Sequence, residues 1–432
     1  MFFITNFTNE VLGSPPFVIP ANCHPRLDQG PNRNHINMKY TLIILLTTYA
    51  FSACNHTNPA ISTIDVNGDL VQVIKYEQIQ DTAQIKLSQL AEDLRFIPLE
   101  TKEECLFGSA KYFVYDKYII VIERNKRITQ FSGDGKFIRQ ICRHGQGPRE
   151  FQGPVIAVDE EHDIFFLGDG IKSYIMSWDL NTGAFIKEIP KPYEGKLKRI
   201  HYTLRGTLLI APIVGDRESG KFYLWEQDLD GNIIRQIEAP PAKGWMDSDT
   251  DILLYTNGKG YNYLPVDADT VFRVDEERLT PSWVIDLGKK NEDLDNKPGH
   301  RSFTYGFESA RFFSGRVYTL EKVDMIKYEG GVGYTTNGKH EYLTLDKKTG
   351  EIYLNQKIYN DFVAEETGLS WFGAQSNQTI HLQIMADHLV EHAEEVLEDP
   401  KADPKVKSRL IKLLDKIDIE DNPILIVGRL RK

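Results

Sequence analysis

The chain has 432 residues, a formal net charge of -11 and a pI near 5.6. That balance excludes a nucleic-acid binder, which needs a basic field to displace counterions from phosphate. The length suits one large β domain or two ordinary ones, and solubility accounts for the acidic charge.

The first feature along the chain is Met38-Lys39-Tyr40, then Thr41 to Ala50, then Phe51-Ser52-Ala53-Cys54. A basic residue, a short apolar run (Leu42 to Leu46) and small residues just before a cysteine form a bacterial lipoprotein signal. Residues 1–37 therefore read as an artefact of the start position, 38–53 as signal peptide, and 54–91 as tether and lead-in. The rival reading is a transmembrane helix. It fails on length, because Tyr40 to Ala53 is about 14 residues, interrupted by Thr41, Thr47, Thr48 and Ser52, and spanning takes roughly 20. Phe51 stands where such signals prefer Leu, Val or Ile. Lipid on Cys54, with more than one acyl chain, would hold a soluble body at a membrane surface. The expected location is the cell envelope, at the outer membrane, with the face left open.

Of the four cysteines, Cys23 lies in the leading extension and Cys54 carries the lipid, which leaves Cys105 and Cys142. An oxidising envelope would permit a bridge between them. They fall near the two ends of one structural unit, however, where separation exceeds bridging reach, so two partly buried thiols are the preferred reading.

From residue 133 onward the chain repeats itself. Gly133-Asp134-Gly135-Lys136-Phe137-Ile138-Arg139-Gln140-Ile141 matches Asn181-Thr182-Gly183-Ala184-Phe185-Ile186-Lys187-Glu188-Ile189 and Asp230-Gly231-Asn232-Ile233-Ile234-Arg235-Gln236-Ile237. The turn glycines Gly135, Gly183 and Gly231 recur 48 residues apart. A further copy stands at Thr349-Gly350-Glu351-Ile352-Tyr353 and a degenerate one at Asp275 to Ile285. Each copy is a strand, a glycine turn and a second strand, and another strand pair precedes it. Four short strands per repeat of this length make a propeller blade.

The blades fall at 107–141, 154–189, 200–237, 250–287, 303–359 and 369–430. The predicted fold is all-β: a six-bladed β-propeller of four-stranded antiparallel blades over residues 92–432. Helical spacing over Ile384 to Leu397 and Asp403 to Ile417 predicts a short insertion in blade six. The segment Leu94 to Leu99 has no blade of its own and is predicted to supply that blade's missing outer strand, closing the ring.

Three runs carry a resemblance: Leu94-Arg95-Phe96-Ile97-Pro98-Leu99-Glu100-Thr101, Ile141-Cys142-Arg143-His144-Gly145-Gln146-Gly147-Pro148-Arg149-Glu150-Phe151, and Asp269-Thr270-Val271-Phe272-Arg273-Val274. Together with Asp421-Asn422-Pro423-Ile424-Leu425 they resemble the bacterial six-bladed β-propeller lipoprotein family, which is similar to NHL-repeat propellers and often lacks an assigned activity. Cys142 and Arg149 stand where that family usually has glycine. The resemblance covers residues 90–432 and implies the fold strongly, the function hardly at all.

Links between one blade's outer strand and the next blade's inner strand are where propellers form sites. They place Arg143, His144, Arg149, Glu150, Lys196, Trp245 and Arg301 on one face, with Tyr305 and Trp371 just beyond. Guanidinium groups pair bidentately with carboxylates and aromatic rings stack on sugar faces, so the set suits an acidic glycan or a carboxylate-bearing peptide. Taken singly, each is more simply a solvated loop residue.

Three motifs look like chemistry without carrying it. Gly145-Gln146-Gly147-Pro148 resembles a phosphate loop but lacks the following Lys-Ser/Thr and lies between strands. His388-Leu389-Val390-Glu391-His392 has the inverted zinc-peptidase spacing, yet a third ligand is wanting and a polar surface helix explains it better. Asp228-Leu229-Asp230-Gly231-Asn232 resembles the start of a calcium loop but coincides with the repeat's hairpin turn.

No cofactor or metal is called for. The favoured function is a lipid-anchored, non-catalytic binding or scaffold module of the envelope, its partner a glycan, peptide or envelope protein. The alternative is a metal-dependent hydrolase or lyase acting on sugar-derived substrates at the central channel. That needs several carboxylates and histidines on innermost strands, where only Asp159, His201 and Glu308 are found.

Overall fold

The computed structural model describes residues 58–80, 83–193, 197–212, 222–239, 252–256, 260–265, 268–288, 297–328, 331–367 and 379–432. The chain divides into two compact units. One takes residues 1–57 and 323–336, of which the described part is the far ends of the long strands Phe312–Tyr328 and Gly331–Asp346. The other takes residues 58–322 and 337–432 and holds the sheets.

Antiparallel four-stranded meanders follow one another along the chain, over residues 110–143, 154–190, 197–239, 252–286 and 301–355. Burial grades across the first two of them. In the first, Tyr118–Glu123 is buried at every position, whereas the last strand, Phe137–Arg143, is mostly half-exposed. A strand covered on both faces reads as a continuous apolar run, and Tyr-Ile-Ile-Val-Ile is such a run. Radially repeated sheets of this kind are the blades of a β-propeller.

The repeated turns owe their shape to one capping side chain and one glycine. Asp179 Oδ1 accepts from Thr182 N at 2.7 Å. Asp346 Oδ1 accepts from Lys348 N at 2.9 Å, and in the same way Ser132 Oγ accepts from Lys136 N at 3.0 Å. Gly135, Gly183, Gly231 and Gly350 take φ of 89°, 77°, 91° and 74°, a region L side chains avoid.

The basic residue of the first three repeats, two places into the outer strand, reaches the turn of the following blade. Arg139 Nη2 donates to Asn181 O at 2.7 Å, Lys187 Nζ pairs with Asp230 at 2.9 Å, and Arg235 Nη1 donates to Asp275 O at 2.6 Å. The same residues that mark the repeat in sequence therefore set one blade against the next.

Ala91–Pro98 lies antiparallel to the C-terminal strand Ile424–Leu430, with Leu425 opposite Ile97. Thr379–Ile384 pairs with the other side of that strand and completes a three-stranded sheet. Asn422, 1% exposed, staples the seam. Its Nδ2 donates to Glu100 O (2.8 Å) and Cys105 O (3.0 Å), and its Oδ1 accepts from Phe107 N (3.1 Å).

Between Thr379–Ile384 and Ile424–Leu430 stand two packed helices, α1 (Ala386–Glu398) and α2 (Pro404–Leu414). Helix α2 starts at Asp403, whose carboxylate accepts from Lys405 N at 2.8 Å, with Pro404 at the first helical position. Leu389, Ala393, Val396, Val406, Leu410 and Leu413 bury their shared face.

The lead-in is more structured than its sequence reading. Ile61–Val66 and Asp69–Lys75 form a hairpin through Asn67 (φ 56°) and Gly68 (φ 91°), the pair of positive φ angles that a type I′ turn requires. Its second strand adds in parallel to Leu279–Asp286, extending that meander to six strands. Cys105 and Cys142 are both buried and unbridged. Burial pushes both thiols up, so neither is a nucleophile at neutral pH.

Candidate functional site

The Gly-Gln-Gly-Pro link is a loop wrapped around a carboxylate. Glu150 Oε2 accepts from Gly147 N at 2.8 Å, and Oε1 accepts from Arg143 Nε at 2.6 Å. The backbone N–H, followed by the guanidinium, holds the Glu150 carboxyl below its ordinary range. A Cβ at Gly145 would stand 2.0 Å from Glu150 Oε2, which explains that glycine.

From the next blade, Lys172 Nζ donates to Gly147 O (2.6 Å) and Pro148 O (2.9 Å), and Tyr174 Oη donates to Pro148 O (3.2 Å). The base of the loop is fixed by Asp169, buried to 1% exposure, which accepts from Gln152 N at 2.9 Å. Lys172, Tyr174 and Asp169 escaped the sequence reading because they sit in a neighbouring hairpin with no motif of their own.

The loop's cations remain largely at the surface. The Arg143 side chain is 72% exposed despite its ion pair, and Arg149 is exposed with its guanidinium 4.4 Å from the Phe185 ring centroid. His144 bridges to Phe151 through its backbone and lays its ring edge-on to the Phe151 ring at 5.9 Å.

Arg301 has different company. It pairs with Glu77 at 2.9 Å, donates to Leu287 O at 2.7 Å and lies over the Tyr76 ring at 4.9 Å. Those contacts tie the lead-in to the sheets. Tyr305 lies on strand Arg301–Glu308. Trp245, Trp371, Lys196 and Cys54 fall outside the described residues.

The inner-strand groups named for catalysis are each engaged. Asp159, 3% exposed, accepts from the N–H groups of Glu161 and His162 and meets the His162 ring at 2.7 Å. Glu308 accepts from Asn262 Nδ2 at 2.7 Å and Lys347 Nζ at 3.1 Å. His201 lies against the Tyr261 ring at 5.2 Å.

The apparent zinc and calcium motifs resolve similarly. His388 Nε2 meets Glu365 Oε1 at 2.7 Å and His392 Nε2 meets Val363 O at 3.0 Å, so each ring docks the insertion onto residues 363–365. Asp228 accepts from the backbone N–H groups of Asp230 and Asn232 and from Asn232 Nδ2. Among the described residues no group of three or more His, Cys, Asp or Glu has metal-holding geometry.

One buried base stands apart. His381, on the strand Thr379–Ile384, is 6% exposed, and its Nδ1 has no hydrogen-bond partner among the described residues. Burial lowers its pKa from 6.5 to about 4, so it is neutral in the folded protein. Unfolded chains take up a proton below pH 6.5 that the native state refuses until about pH 4. Stability therefore falls on acidification through that window, by about 2 kcal/mol between pH 7 and pH 5. Urea titrations of wild type and His381→Phe at both pH values should differ by that amount, and parallel profiles would show that the imidazole is solvated.

The chain was compared with known proteins. Over residues 70–429 it matches the family described as a domain of unknown function, DUF4934. No curated protein matches. Among solved structures, a Bacteroides fragilis protein assigned as exported is similar, with 19% identity and a TM-score of 0.58. The match covers 83% of this chain and all of that one. A DUF4221-family member from Bacteroides vulgatus has 12% identity and a TM-score of 0.43, covering 79% of this chain and 98% of the other. With the family match spanning nearly all of the sheets, the chain belongs to the DUF4934 family.

Proposed function

We propose that this protein is a lipid-anchored, six-bladed propeller of the cell envelope that binds an acidic glycan or a carboxylate-bearing peptide without catalysis. The carrying observation is the 143–151 loop. Glu150 and Lys172 fix its backbone from within, while the guanidinium groups of Arg143 and Arg149 stay at the surface. Preorganised cations of this kind bind an anion with little ordering cost. His144 and Glu150 complete the loop's contribution, and Trp245, Arg301, Tyr305 and Trp371 are proposed as further ligand-binding residues.

The five meanders and the three-stranded sheet sealed by Ala91–Pro98 supply the six blades, and α1 and α2 are the insertion in the last. The Bacteroides fragilis protein of like fold is assigned as exported, in keeping with residues 38–53 as a leader and Cys54 as the acylated residue. The hydrolase or lyase alternative is the weaker reading, because Asp159 and Glu308 spend their oxygens on neighbouring protein donors.

The test uses the Cys54→Ser form, which should appear in the soluble fraction, whereas the unaltered chain should sediment with membranes. Calorimetric titration with a uronic-acid oligosaccharide and with a poly-glutamate peptide should show salt-sensitive binding. Arg143→Ala combined with Arg149→Ala should weaken it at least tenfold, about 1.4 kcal/mol. Affinity untouched by the double variant would remove this loop from the site.

A further inference from the structure

The lead-in hairpin and the turn beside it make a surface separate from the proposed ligand loop, and its role rests on the proposed acylation of Cys54. Only Asn55, His56 and Thr57 separate Cys54 from Asn58. Asn58 is already part of the folded body, where its Nδ2 donates to Gly350 O at 3.3 Å and its Oδ1 accepts from Ala60 N at 3.0 Å. Ala60 is fully buried, and its carbonyl accepts from Lys75 N at 2.8 Å. The covalent reach from the lipid-bearing residue to fixed structure is therefore at most about 14 Å. A domain of this size has a radius of gyration of about 20 Å. With a tether shorter than its own radius, the body lacks the freedom to turn an arbitrary side to the bilayer.

We infer that the bilayer surface is the partner of the hairpin Ile61–Lys75 and of the adjoining turn at residues 346–351. Their composition suits a headgroup layer. Leu70 is 73% exposed, more than any other large hydrophobic residue in the described strands, and Ile64, 43% exposed, flanks the same turn from the other face of the hairpin. At the neighbouring turn Lys348 and Thr349 are exposed beside Asn58. Apolar side chains at the acyl boundary and a lysine at the phosphates are what an interfacial contact uses. Of the hairpin's two acids, Asp69 is paired with Arg278 at 2.9 Å, which offsets its repulsion from phosphate, and Asp65, opposite Leu70, is turned to the hairpin's own Gly68 N at 2.9 Å. The link loop of residues 143–151 belongs to other blades, which leaves it available to a ligand.

The experiment places a fluorophore on single cysteines, Leu70→Cys, Lys348→Cys and Ile411→Cys, in the full acylated chain reconstituted into phosphatidylethanolamine vesicles containing a headgroup-spin-labelled lipid. Cys105 and Cys142 are buried and add no background. Quenching should be several-fold stronger at positions 70 and 348 than at 411, which lies on α2 and is half-exposed. Equal, weak quenching at all three positions in vesicle-bound protein would overturn the orientation while leaving the anchor intact. Protein that never associates with vesicles would overturn the anchor and this inference with it. As a second measure, Leu70→Glu should leave solubility and folding unchanged and abolish the quenching at 348 only if the hairpin makes the contact.

Discussion

Replacing Asn422 by alanine is expected to lower the free energy of unfolding by about 4 kcal/mol, because two buried backbone groups lose their partner at once and a third, Glu100 O, keeps only the weak Cys105 Sγ donor at 3.1 Å. The three are the carbonyls of Glu100 and Cys105 and the N–H of Phe107. No water replaces the amide without opening the seam, since Asn422 is 1% exposed and Cys105 is fully buried. Each orphaned group costs on the order of 1–3 kcal/mol, and the three lie on one segment that shifts together. Urea unfolding followed by tryptophan fluorescence gives the measurement. Thr101→Val is the comparison, because Thr101 Oγ1 accepts only the single N–H of Asn422, at 2.9 Å. It should cost about 1 kcal/mol. Equal effects of the two changes would mean that the Asn422 side chain does not hold the closing sheet.

Gly135→Ala is the second large effect, and Gly350→Ala is its control. Both glycines occupy the same place in the repeat with φ of 89° and 74°, so both substitutions carry the left-handed penalty of about 1–2 kcal/mol. They differ in what a methyl group meets. At Gly135 the new Cβ would stand 2.3 Å from Pro98 O and 2.9 Å from Ile97 Cγ2, whereas at Gly350 nothing lies within 4 Å. The closing strand must then move off the first blade, which adds a further 1–3 kcal/mol. Gly135→Ala is expected to lose about 4 kcal/mol in all and Gly350→Ala about 1 kcal/mol. Thermal melts of the pair decide this, and equal losses would show that the Pro98 end yields without cost.

The repeat was legible because its determinants are local. An Asp or Ser, a glycine at positive φ and a basic residue on the next strand lie within about eight residues of one another. The closing strand was legible for a negative reason, since Leu94 to Leu99 had strand character and no local partner. The hairpin at residues 61–75 shows the limit. Asn67-Gly68 is a strong turn signal that the lead-in reading leaves unused, and the parallel addition to Leu279–Asp286 involves a partner more than two hundred residues away.

The candidate site divides along the same line. Glu150 lies seven residues from Arg143, so their pairing sits within a loop the sequence singled out. Arg301 meets Glu77 across 224 residues, and no spacing rule reaches that far. The inner-strand acids look available in sequence because their donors, Asn262 and Lys347 for Glu308, come from separate strands.

Sealing the last sheet with a strand from before the first has a consequence for how the molecule is made. Asp93 and Arg429 are 336 residues apart and ion-paired across the seam, so nearly the whole polypeptide must emerge from the ribosome before that sheet can assemble. Until then Ile97 lacks the cover that Leu425 and Val427 give it, and the nascent chain carries a sticky edge through most of its synthesis. Its slow step is the meeting of those distant partners, which makes the unjoined intermediate the species a chaperone must protect.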